Sequence, residues 1–178
     1  MSRNEIRIAG AGGQGVVTAG RILAEAAILS GSEATHSQVY GPQSRGGASR
    51  SDIVIADDAI GFPLADSIDL LVVLSAEAYA KYEPELRVDG SLIVDTRCAP
   101  NTLNGNAVSF AVVDTARAVS GGQLVTGVVA LGVLQAHTGC VDAGALEQAV
   151  AARVPAQHRN MNLDALAAGM QLVGGALS

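Results

Sequence analysis

A three-layer α/β/α fold with a mainly parallel, Rossmann-like sheet and an added antiparallel hairpin is what the sequence predicts, and three observations predict it. An apolar strand around Ile6, Ile8 and Ala9 runs into Gly10, Gly12, Gly13 and Gly15, and an Ala/Leu/Ile-rich helix follows at once. Strand-like and helix-like segments then alternate along the rest of the chain, the pattern of helices laid on both faces of a parallel sheet. The residues are 49% hydrophobic but only 3% aromatic, with 21 Gly and no Trp, so the core has to be built from Ala, Val, Leu and Ile with close backbone approaches. At 178 residues a single domain, 1–178, is expected, because no repeat, low-complexity run or linker divides it.

Each element has a local signal. Gln14 to Ser30 reads as the first helix, with Val17, Leu23, Ala24, Ala27 and Ile28 apolar and Gly31 as its stop. Thr35–Val39 is the second strand, followed by a polar, glycine-bearing loop through Arg50. Asp52–Ala56, the pair Asp57-Asp58 and Ala59–Gly61 read as strand, tight turn and short strand, a hairpin over Ile53–Ile60 closed by Pro63. Asp69–Leu74 is an unbroken apolar run, as in a central parallel strand buried on both faces. Ser75 caps a short helix, Ala76–Tyr82, with Glu77 in its first turn. Asp89-Gly90 signals a turn before a strand at Ser91–Val94, and a further strand at Ala107–Val113 leads to Asp114 as the cap of Thr115–Val119. Leu124 to Thr138 is apolar nearly all round, which marks a buried helix. Asp142 caps Ala143–Ala152, Pro155 ends that element, and Asn162 starts a last helix through Leu172.

Gly10, Gly12 and Gly15 fit G-x-G-x-x-G, but a dinucleotide site also needs an acid at the end of the second strand to hold the ribose. That strand instead ends in Tyr40-Gly41-Pro42-Gln43, and Glu33 precedes it, which disfavours a stand-alone nicotinamide- or flavin-binding protein. The net charge of −6 argues against nucleic acid and anionic membranes as partners. Its distribution points elsewhere. Arg7 and Arg21 lie in an acid-free window between Glu5 and Glu25, and Arg45 and Arg50 in another between Glu33 and Asp52. These windows hold the glycine turn and the loop after the second strand, expected to meet at the carboxyl end of adjacent parallel strands and to face an anionic ligand or an acidic partner. Cys98 and Cys140 cannot ligate an iron–sulfur cluster alone and read as reduced thiols of a cytoplasmic protein. His36, His137 and His158 show no metal-ligand spacing. No apolar run reaches the ~20 residues of a membrane span, and the glycine-broken N-terminal stretch is no signal peptide.

Three ordered motifs carry a resemblance. Gly10-Ala-Gly-Gly-Gln-Gly15 followed by Gly20-Arg-Ile-Leu-Ala-Glu-Ala26, the stretch Tyr40-Gly-Pro-Gln-Ser-Arg-Gly-Gly-Ala-Ser-Arg-Ser-Asp-Ile-Val-Ile55, and Leu74-Ser-Ala-Glu-Ala-Tyr-Ala-Lys-Tyr82 together resemble the gamma subunit of 2-oxoacid:ferredoxin oxidoreductases. The set is most similar to the 2-oxoglutarate branch and extends through Val154-Pro155 and the helix from Asn162, so that it covers nearly the whole chain. Two departures bear on substrate rather than family: Gln43 stands where that branch has Glu, and Val39 where it often has Ser. Pyruvate, ketoisovalerate and indolepyruvate therefore stay open as alternative substrates.

The resemblance implies an oligomeric enzyme that decarboxylates a 2-oxoacid on thiamine diphosphate and Mg, passes electrons through iron–sulfur clusters to ferredoxin, and transfers the acyl group to coenzyme A. This chain offers no cluster cysteines and no segment for a metal diphosphate, so the cofactors belong to alpha and beta partner subunits, with a ferredoxin-like delta subunit as an optional third. Left alone, the chain is expected to be inactive and free to homo-oligomerise. Coenzyme A is the anion the charge pattern would meet, on the N–H groups of Gly12, Gly13 and Gly15, with Gln14 and Ser49 as neutral donors and Arg45 as a bidentate clamp. Tyr40, Gln43, Gly46 and Gly47 complete that candidate surface. The same loop could equally be an interface loop, its guanidinium paired with a partner's carboxylate, or the whole chain a structural subunit without ligand.

Overall fold

The computed structural model describes residues 3–39, 48–103 and 105–176. Its elements in chain order are β1 (Arg3–Gly10), α1 (Val16–Leu29), β2 (Glu33–Val39), β3 (Ser49–Ala56), β4 (Ile68–Val73), α2 (Ala76–Tyr82), β5 (Leu86–Asp95), β6 (Asn106–Phe110), α3 (Val112–Ser120), α4 (Thr126–Thr138), α5 (Ala143–Arg153) and α6 (Arg159–Ala176). The sheet has the order β2-β3-β1-β4-β5-β6. β1, β4, β5 and β6 pair in parallel, whereas β3 runs antiparallel to both of its neighbours, β1 and β2. The sheet is therefore parallel but for one strand, β3, which makes an antiparallel pair with β2 on one side and with β1 on the other.

Strand alternation sends side chains to two different environments. Ile6, Ile8, Ile53, Ile55, Leu70, Val72 and Ile93 point to one face, where α1 and α3 to α6 cover them in a continuous apolar core. Close approach replaces bulk there: a Cβ on Gly132 of α4 would overlap the carbonyl of Leu166, and one on Gly169 of α6 the carbonyl of Val129. The opposite face carries Ala9, Leu71, Val73, Leu92 and Val94 under the short helix α2, whose Ala78 and Tyr82 are buried on it. On the same face lies an ionic seam. Arg7, 3% exposed, makes a two-pronged contact with Asp52 across the β1–β3 pair, at 2.7 and 3.0 Å, and also pairs with Glu85. The guanidinium groups of Arg7 and Arg50 stack over the Tyr82 ring, 5.2 and 5.5 Å from its centre.

Four local expectations need correction. Ala59–Gly61 is not a strand, so the hairpin does not span Ile53–Ile60. Side chains of β1 and β2 hold this segment instead: Arg3 donates to the carbonyls of Phe62 and Leu64 at 3.0 and 3.1 Å, and Thr35 to that of Pro63 at 2.7 Å. Asp89-Gly90 lies inside β5, where pairing jumps from Ile68–Leu86 to Leu70–Ser91; the turn chemistry appears as a bulge in a continuous strand. β6 stops at Phe110, and Asp95 rather than Asp114 caps the next helix, its carboxylate accepting from the Val113 N–H at 2.7 Å while Asp114 pairs with Arg97. α6 begins at Arg159, and Asn162 lies within its first turn, donating to the His158 carbonyl at 2.8 Å. The caps expected from Ser75 and Asp142 are in place, accepting from Ala78 and Ala145.

Candidate functional site

The turn between β1 and α1 stands at the carboxyl end of the sheet. Gly13 and Gly15 adopt positive φ, 88° and 73°, which only glycine holds without strain, and Gly15 is the N-cap of α1. Gly15 brings no capping side chain and no acid lies in the first turn of α1, so neither offsets the positive end of its dipole. Gly12 and Gly13 are exposed, and among the described residues nothing lies within 4 Å of where a Cβ on either would stand. Backbone N–H groups at such an open helix start suit a phosphate or carboxylate.

Gln14 belongs to the frame of this turn rather than to its open surface. Its side chain is buried, with Oε1 accepting from the Ala11 N–H at 2.7 Å and Nε2 donating to the Leu74 carbonyl at 2.9 Å. The carboxamide occupies the space a side chain on Gly10 would need, which is why glycine ends β1. The Gln14 carbonyl in turn accepts from the Gly127 N–H of α4 at 2.8 Å.

Ser49 joins the turn through register, because it starts β3 directly opposite Gly10. The two acid-free windows therefore do converge, but across an antiparallel pair rather than between adjacent parallel strands. Their charge is not all free. Arg7 is consumed by Asp52 and Glu85, and Arg50 lies within 3.5 Å of the same two carboxylates, so acids distant in sequence neutralise part of what the windows carry. Tyr40, Gln43, Arg45, Gly46 and Gly47 lie outside the described residues.

One neighbour of the turn has no sequence signal. Leu124, 79% exposed, belongs to the segment between α3 and α4, and its carbonyl would sit 3.1 Å from a Cβ on Gly15. The helix from residue 126 was legible as buried, but not that its start docks on the glycine turn. The two thiols lie at opposite ends of the sheet. Cys98 follows β5 and bonds to the Asp95 carbonyl at 3.3 Å, and burial together with the nearby Asp95 pushes its pKa up to about 11. Cys140 lines a cavity of about 470 Å³ with Asn4, Asp69 and Ser91 at the other end, and burial raises its pKa too. They share no ligand set, and among the described residues no group of three or more His, Cys, Asp or Glu is placed to hold a metal. Nor is any helix among them long and apolar enough to cross a membrane.

A family model described as pyruvate ferredoxin/flavodoxin oxidoreductase matches residues 5–172. The chain belongs to that family. The 2-oxoglutarate synthase subunit KorC of Methanothermobacter marburgensis is 39% identical over 184 residues, which cover 96% of this chain and 97% of the relative. The gamma subunit of a keto/oxoacid ferredoxin oxidoreductase from Geobacter sulfurreducens superimposes with a TM-score of 0.85 at 40% identity, covering 99% of each chain. A 2-oxoglutarate:ferredoxin oxidoreductase from Magnetococcus marinus, with 2-oxoglutarate, coenzyme A and succinyl-CoA bound, matches with a TM-score of 0.87 over 98% of this chain and 32% of its own. At 18% identity that last likeness is one of fold. Family membership makes the chain a gamma-type subunit of a 2-oxoacid:ferredoxin oxidoreductase, in agreement with the three ordered motifs.

Proposed function

We propose that the chain is the gamma subunit of a cytoplasmic 2-oxoglutarate:ferredoxin oxidoreductase and that its glycine turn holds a phosphate of coenzyme A. In the assembled enzyme thiamine diphosphate on a partner subunit would supply the chemistry for decarboxylating the 2-oxoacid, coenzyme A would take the acyl group as a thioester, and partner iron–sulfur clusters would carry the two released electrons to ferredoxin. Thiamine diphosphate, Mg and the clusters are assigned to alpha and beta subunits, with a ferredoxin-like delta subunit where present, so this chain has no turnover of its own. What it adds is a preformed anion site. The observation that carries this is the start of α1, which Gly15 leaves without a capping side chain and which, among the described residues, is open at the exposed Gly12 and Gly13, with Ser49 opposite Gly10.

The test puts a competing anion into the site. Among the described residues nothing crowds Gly12 and its φ is not positive, so Gly12→Asp is expected to keep the fold while placing a carboxylate among the N–H groups. The assembled complex should then show a KM for coenzyme A raised roughly 10-fold or more, the range of a lost charge-assisted contact, with the KM for 2-oxoglutarate unchanged. An unaltered KM for coenzyme A overturns the reading. Arg45→Lys distinguishes a coenzyme A clamp, which raises the same constant by about 5- to 150-fold, from an interface loop, which makes the complex dissociate on dilution. A panel of 2-oxoacids, including pyruvate, ketoisovalerate and indolepyruvate, tests the substrate.

A further inference from the structure

We infer that Gln14 is the positioning residue of the anion site: it touches no ligand but decides which backbone N–H groups of the turn face outward. This rests on the reading that the turn holds a coenzyme A phosphate. Between β1 and α1 the peptide N–H groups could point either into the fold or out of it. The Gln14 carboxamide settles the matter by drawing the Ala11 N–H inward at 2.7 Å, while its other end is anchored on the Leu74 carbonyl at the end of β4, 2.9 Å away. The Gln14 N–H returns to the Ala11 carbonyl at 3.3 Å, so residues 11 and 14 close a double link and Gly12 and Gly13 form its exposed crest. A third anchor, from the Gly127 N–H to the Gln14 carbonyl, ties the crest to the start of α4.

The chemistry of the residue fits this task and no shorter one does. Only a side chain with an acceptor and a donor at its tip can satisfy an N–H and a carbonyl at once, and it must reach back over three residues to do so. Burial at 4% exposure keeps water from competing for either bond. A crest held in this way has already given up its conformational freedom before an anion arrives, so the gain is expected in affinity and not in the chemical step.

The experiment uses the assembled complex carrying Gln14→Met, which keeps the length and removes both bonds, beside Gly12→Asp and Val133→Ala. Val133 is fully buried in α4, away from the turn, and its truncation is a control for general loss of stability. Gln14→Met should raise the KM for coenzyme A roughly 10- to 100-fold, the cost of a misplaced contact, while kcat at saturating coenzyme A and the KM for the 2-oxoacid stay within about twofold. Val133→Ala should lower the melting temperature and move none of the three constants. Should Gln14→Met fail to assemble, Gln14→Glu, which keeps the acceptor for Ala11 and loses the donor to Leu74, is read in the same way. A KM for coenzyme A unchanged in the Gln14 variant but raised by Gly12→Asp overturns the positioning role alone. If neither variant moves that constant, the phosphate reading beneath it falls.

Discussion

The two faces of the sheet solve the same packing problem with different chemistry. Under α1 and α3 to α6 the surface is Ile, Val and Leu, and helices come close enough that backbone meets backbone at Gly132 and Gly169. Under α2 the cover is one helix of seven residues, and what lies beside it is the seam of Arg7, Asp52, Glu85 and Arg50 around Tyr82. The thick face is held by close apolar packing, whereas the thin face sets a cluster of matched charges beside its apolar strip. A chain short of aromatic residues can bury large surface only where helices approach closely, so charge pairs and one tyrosine close the side with few helices.

The largest effect should come from breaking the seam. Asp52→Ala leaves the Arg7 guanidinium buried with Glu85 as its remaining close carboxylate partner and should cost about 3–5 kcal/mol in chemical denaturation. Arg7→Met combined with Asp52→Leu should recover most of that loss, because the penalty lies in the uncompensated charge; no recovery would mean that the seam carries stability of its own. On the thick face, Gly169→Ala forces a Cβ into the Val129 carbonyl and should cost about 3 kcal/mol, the upper part of the range for overpacking. Gly122→Ala, in open space and without positive φ, should change stability by no more than about 0.5 kcal/mol. Equal effects at the two glycines would remove close approach as the organising device of that face.

The smallest effects are in pH, and they separate the faces by window. On the helix-rich face His36 lies beside Ser51, 2.7 Å away, and burial, with Arg21 nearby, lowers its pKa. The unfolded chain protonates first, so this contribution is present above about pH 6.5 and fades as pH falls below it. On the thin face burial pushes the Glu5 carboxyl up, but the Ser67 N–H, the Arg3 side chain and the Asp66 N–H outweigh it and hold the pKa below the usual value of 4.5. Its contribution persists above that value and is lost as pH falls through the depressed one. Acid titration of stability should therefore show two limbs, the upper erased by His36→Gln and the lower by Glu5→Gln. A single limb insensitive to both would break the comparison.

Much of this frame was legible because its signals are local. Gly10–Gly15, the caps Ser75 and Asp142 and the buried run at 126–134 need only neighbours in sequence to declare themselves. What escaped was settled at a distance. Asp95 caps α3 across 18 residues, Glu5 and Arg3 hold the segment near residue 64, and Asp52 neutralises Arg7 from 45 residues away. The glycine turn itself was readable by the same local logic, but its meeting with Ser49 follows from the register of β3 on β1. Gln14 was readable as polar but not as inward-facing, since its direction depends on the Leu74 carbonyl 60 residues on.

Because β3 turns back between β1 and β2, the segment joining β2 to β3 leaves and re-enters the sheet at one point, with Val39 opposite Arg50. Paired strand positions lie ~5 Å apart, and a closed loop with fixed ends pays only about 0.6 kcal/mol for each doubling of its length. The register of β2 and β3 is set by seven paired positions, from Glu33 opposite Ala56 to Val39 opposite Arg50. The two strands are in this sense a frame that rests on its own pairing.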